Sequence, residues 1–140
     1  MDDRIFTLDD TNRVLPLVRV ITRDAVRRYR EVKLAIRELE KLKNQRRAGM
    51  SLETADLARR DAQIETLLVD LRRLIDELES LGCRLRDYEK GVIDFPAAAM
   101  DGEHFLFYCW EMGEEAVSHW HSEEEGHTHR RLVQEAGASA

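Results

Sequence analysis

Apolar residues recur at steps of three and four through the first third of the chain, at Val18, Ile21, Ala25, Tyr29, Val32, Ile36, Leu39 and Leu42. That spacing places one stripe along a helix running to about Lys43. Thr7 offers an N-cap side chain, with Asp10 three residues on to return the bond in the manner of a capping box. Phe6 and Thr11 stand where the two halves of a hydrophobic staple would stand. Pro16 lacks an amide hydrogen and crowds the carbonyl four residues back, which predicts a kink or a restart. Asn44 to Gly49 is polar and ends in glycine, a turn, and a second helix is expected from about Ser51. Its stripe has Leu57, Ile64, Leu71 and Leu78 seven apart, with Leu67, Leu74 and Leu81 at the offset positions and Gly82 as the stop.

Two long helices joined by a short turn bury their stripes against each other as an antiparallel hairpin. Leu68 and Ile75 fall on its flanks, so a homo-oligomer, dimer or tetramer, formed through the helices is expected. After Gly82 the period shortens. Segments 83–87, 92–95, 104–110 and 116–121 are rich in β-formers, and Glu89-Lys90-Gly91, Asp101-Gly102 and Met112-Gly113-Glu114 punctuate them as turns. The expected fold class is α+β: a coiled-coil-like helical hairpin over about 7–81, a small antiparallel β-meander over about 83–121, and a polar tail over about 122–140, all in one domain.

The 140-residue length suits one domain, and 36% charged against 6% aromatic residues suits long solvated helices. A net charge of -6 argues against nucleic-acid binding, and the basic run from Arg23 to Arg47 reads as the wet side of a helix. No apolar run approaches a transmembrane span, and Met1-Asp2-Asp3-Arg4 does not open a signal peptide. Cys83 and Cys109 are then expected as reduced thiols in the cytoplasm. The sequence has no serine elbow, glycine-rich phosphate loop or Cys-x-x-Cys pair, which disfavours nucleophilic and phosphoryl-transfer chemistry.

Candidate chemistry gathers near the end, where His119, His121, His127 and His129 lie within Val117 to Arg131. His119 and His121, two apart on a strand, share a face and can clamp a transition metal (iron, zinc, nickel or manganese) with Glu125 or Cys109 as a further ligand. Hairpin register decides whether Cys109 joins. A turn centred between Gly113 and Glu114 sets Cys109 opposite Ser118, whereas a turn centred on Glu114 sets it opposite His119, and the sequence leaves both open. Asp94 reads either as a carboxylate orienting a ligand or as a turn cap. Trp110 and Trp120 either frame a ligand pocket or close the core. Arg130 is available to hold an anionic substrate, and His127 and His129 are expected to be mobile unless metal orders them. The competing reading is a non-catalytic coiled-coil oligomer acting as a structural or interaction module.

A set of motifs also runs in order along nearly the whole chain: Phe6-Thr7-Leu8-Asp9-Asp10, Leu15-Pro16, Asp94-Phe95-Pro96, Cys109-Trp110, Gly113-Glu114, Trp120-His121, Gly126 and Arg130. In these residues the chain resembles a small prokaryotic family catalogued as domain of unknown function 2203. The resemblance implies no activity. It matches at His121 and Arg130, whereas His119 stands where the family favours an aromatic residue.

Overall fold

In the computed structural model, which describes residues 5–49, 53–98 and 105–133, the capping box forms as the sequence suggests. Thr7 Oγ1 accepts from the Asp10 amide and Asp10 Oδ2 accepts from the Thr7 amide, both at 3.0 Å. From that cap α1 runs over Leu8–Arg47, 40 residues or about 60 Å at 1.5 Å per residue. Phe6, just before the cap, is buried in the shared core. Its ring packs edge-on against Phe95 at 5.2 Å, and its amide donates to the Pro96 carbonyl at 2.8 Å, tying the helix start to the sheet. Pro16 lies inside α1 without ending it. It sits on the exposed face, where the carbonyl it deprives of a partner can turn to water.

The second helix, α2, spans Thr54–Ser80 and packs antiparallel on α1. The start expected at Ser51 and the turn expected at Asp101-Gly102 lie outside the described residues. Beyond Gly82 the chain forms β1 (Arg84–Asp87), β2 (Val92–Ala98), β3 (Phe105–Glu111) and β4 (His119–Ser122). Where the sequence suggests a polar tail, it adds a short 3-10 turn, His127–His129, and a two-residue β5, Arg131–Leu132. The sheet is an antiparallel meander in chain order, with every strand beside its sequence neighbours. The architecture is α+β, a helical hairpin followed by a β-meander. Among the described residues no helix is long and apolar enough to cross a membrane.

One core joins the two halves. Leu15, Val18, Ile21 and Ala25 of α1, with Leu71, Ile75 and Leu78 of α2, meet the inner-face residues Leu85, Ile93, Phe95 and Trp110 of the sheet. The sheet therefore covers one end of the hairpin, and Val32, Leu39 and Leu57 are buried farther along it, outside that shared core. Two devices seat the sheet on α1. Gly91, at φ +76°, lets the β1–β2 turn press against the helix, where a Cβ would meet Met112 Cβ at 2.9 Å and Thr22 Cγ2 at 3.2 Å. Asn12 of α1 grips the backbone of Val117 twice, its amide donating to the carbonyl at 3.1 Å and its oxygen accepting from the N–H at 2.8 Å.

The Asn12 clamp satisfies both polar backbone groups of a residue whose side chain is buried, so its loss strands a donor and an acceptor. Asn12→Leu is expected to lower stability by about 2–4 kcal/mol in urea unfolding, and Asn12→Asp, which keeps the acceptor, by about half of that. An unchanged midpoint for Asn12→Leu would show that the clamp contributes nothing.

Candidate metal centre

Alternation along the strands sends one set of side chains into the helices and the other to the opposite face of the sheet. In register, Asp94 of β2 lies opposite Cys109 of β3, and Cys109 lies opposite His119 of β4. The structure thus resolves the two registers in favour of the turn centred on Glu114. His121 is one step along, opposite Phe107. An outer face of this kind is normally wet, yet Asp94, Cys109 and His121 are only 3%, 0% and 3% exposed.

The cover is the segment that follows β4. Gly126, at φ +76°, redirects the backbone into the 3-10 turn, whose His127 lies over Cys109 with Nδ1 3.2 Å from Sγ. Arg130 then grips Glu114 with both terminal nitrogens, at 2.9 and 2.7 Å, and the Val133 amide donates to the Ser118 carbonyl at 2.9 Å. A bidentate guanidinium–carboxylate pair is both directional and strong, so it fixes the segment in place. The Glu114 carboxyl is held below its usual range: burial opposes its ionisation, and the Arg130 bonds and the Glu111 amide outweigh that.

His121 has to span two strand spacings, about 9.6 Å, to reach β2. Its ring stacks on Phe107, with centroids 5.6 Å apart and planes at 28°, which aims it across β3. Nδ1 lies 2.8 Å from the Ser122 carbonyl. A carbonyl can only accept, so Nδ1 carries the proton and donates. Nε2 is thereby turned toward Asp94 Oδ1, at 2.9 Å. The other Asp94 oxygen accepts from Arg86 Nε at 3.1 Å, and the Arg86 guanidinium lies over Phe107 at 5.7 Å.

A carboxylate oxygen and an imidazole nitrogen at 2.9 Å hold a proton between them as a hydrogen bond. Burial opposes a charged ring, but the Asp94 carboxylate and the Ser122 carbonyl outweigh it and raise the His121 pKa. Burial and the neighbouring Asp94 charge push the Cys109 thiol up to about 12, against a weaker pull from Arg130, so the metal-free cysteine is a neutral thiol. The three donor atoms of Asp94, Cys109 and His121 all lie within 4.8 Å of one another.

The remaining candidates sit around this group. His119 shares the face, but its Nδ1 lies 3.2 Å from Ser118 Oγ and 3.7 Å from Glu114. Glu125 accepts from Arg131 at 2.9 Å and from Ser122 Oγ at 3.2 Å. Trp110 is fully buried on the inner face, its indole N–H donating to the Glu114 carbonyl, with Arg19 over the ring at 5.9 Å. Trp120 lies opposite Tyr108, beneath the Arg131 guanidinium at 5.4 Å. Arg130 pairs with Glu114 and also lies against the Cys109 thiol. The sequence did not mark Arg86 or Glu111, and His127, expected to be mobile unless metal orders it, is seated by the protein itself, its Nε2 3.0 Å from Glu111 Oε1. Of Arg86 and Glu111, the second carried a legible signal, being two residues from Cys109 and hence on its face of the strand.

No curated protein and no solved structure matches the chain. A family match runs over residues 4–133 of the 140, so the chain belongs to the family described as "Uncharacterized conserved protein", domain of unknown function 2203.

Proposed function

We propose that this protein binds a divalent transition metal ion through Asp94 Oδ1, Cys109 Sγ and His121 Nε2. The observation that carries the reading is the convergence of three chemically different donors, all buried, within 4.8 Å of one another. Donors at bonds of about 2.0–2.3 Å in a tetrahedral shell stand roughly 3.3–3.7 Å apart, so the 2.9 Å Nε2–Oδ1 pair opens by only several tenths of an ångström to admit an ion. His121 is held as metal-bound histidines usually are, with the far ring nitrogen donating to a backbone carbonyl. A thiolate, an imidazole and a carboxylate suit zinc first, then iron or nickel, and manganese least. The two free cysteines suit a reducing compartment such as the cytoplasm.

Charge balance supports the exchange. The metal-free group holds a shared proton on the His121–Asp94 pair and a second on the Cys109 thiol, and a dication replaces both without changing the net charge of the buried cluster. Burial that would repel an added charge therefore does not oppose this substitution.

Beyond the sheet the hairpin leaves Leu34, Ile36, Leu68 and Val69 exposed, which favours a second property, self-association of the helices into a dimer or tetramer. Sedimentation equilibrium is expected to give a dimer or tetramer that Leu34→Glu with Leu68→Glu converts to a monomer. A wild-type monomer at all concentrations would remove this part of the account.

Tag-free protein equilibrated with zinc and freed of excess is expected to carry about one ion per chain by elemental analysis. Cys109→Ala and His121→Ala should each lose most of it, with helical circular dichroism retained in at least the cysteine variant. Equal loading of both variants would sink the proposal. Calorimetric titration in buffers of different ionisation enthalpy should report about two protons released per zinc at neutral pH, the count set by the two displaced protons. A buffer-independent enthalpy would contradict that exchange.

A further inference from the structure

Three protein donors leave a fourth tetrahedral position to be filled. His127 touches this group at Cys109, its Nδ1 3.2 Å from Sγ, beside the Arg130 guanidinium. It comes from neither β2, β3 nor β4 but from the covering segment, and its other ring nitrogen lies 3.0 Å from Glu111 Oε1. A histidine facing a thiol through one nitrogen and a carboxylate through the other has the arrangement in which a carboxylate orients a metal-bound imidazole.

We infer that His127 is the fourth ligand, positioned by Glu111, and that a bound ion fastens residues 122–133 across the outer face of the sheet as a strap. The inference rests on the three-ligand site proposed above. The strap is also attached through the Arg130–Glu114 pair, the pairing of Arg131–Leu132 with β4 and the Val133–Ser118 bond. His127 is its attachment over the centre. Gly126, at φ +76°, is the point about which the strap turns into its 3-10 segment, a conformation that suits glycine. An ion reaches Cys109 only when the strap lifts, because His127 and Arg130 of the strap lie against its thiol. Once loaded, the ion has four protein donors and no position for a substrate, which is the coordination of a structural, storing or sensing site rather than a hydrolytic one.

The test uses the full chain with zinc alone, in wild type, His127→Ala and Glu111→Gln. Zinc affinity, measured by competition with a chromophoric chelator, is expected to fall about 10- to 100-fold in His127→Ala and to fall less in Glu111→Gln. Each variant should still bind about one ion. Hydrogen exchange of the amides in 123–133 is expected to slow on zinc addition in wild type and to stay unchanged in His127→Ala. A His127→Ala protein that binds zinc as tightly as wild type, or whose strap is protected equally, overturns this inference while leaving the three-ligand site standing. A wild-type protein that takes up no zinc overturns both.

Discussion

The contact between His121 Nε2 and Asp94 Oδ1, 2.9 Å long and shut off from water, sets the terms for the rest of the structure. An imidazole and a carboxylate that meet in a dry place need either a proton or a metal between them, because two lone pairs facing each other repel. Each neighbouring element serves that meeting. Phe107 steers the ring over the intervening strand, the Ser122 carbonyl fixes which nitrogen faces inward, and Arg86 holds the second carboxylate oxygen. Cys109 lies beside them with its thiol proton retained, covered by His127 of the strap.

The helical hairpin contributes to this site from a distance. Its apolar stripe binds the inner face of the sheet, and the same strands that bury Ile93, Phe95 and Trp110 inward must, by alternation, carry Asp94 and Cys109 outward. Asn12 and Gly91 set how closely the sheet sits on α1. The hairpin also carries exposed apolar side chains, Leu34, Leu68 and Val69 among them, that lie outside the shared core.

Much of the fold is legible in the residues because helices are written locally. The heptad of leucines in α2 and the Thr7–Asp10 box each predict their own surroundings. Pro16 does not restart the helix, since a proline on an exposed helical face leaves only one carbonyl to water and α1 carries through. The site is less legible because it depends on pairing between strands. Sequence proximity groups His119 with His121 and Glu125, whereas the ladder sets Asp94, distant in sequence, beside Cys109. His121 reaches Asp94 diagonally across a strand, a contact no spacing rule encodes. The strap is the least legible part. Its strand is two residues long and has no alternation to detect, and it stays down through the Arg130–Glu114 pair and the His127 contact, which only the folded sheet brings together.

The central claim is that one sulfur, from Cys109, enters a mixed shell with imidazole and carboxylate donors. X-ray absorption at the zinc edge of loaded, tag-free protein tests this most directly. A single sulfur scatterer at about 2.3 Å beside nitrogen and oxygen scatterers at about 2.0–2.1 Å, with imidazole multiple scattering, is the predicted spectrum. A shell of light atoms alone, without sulfur, would place the ion elsewhere and contradict the account.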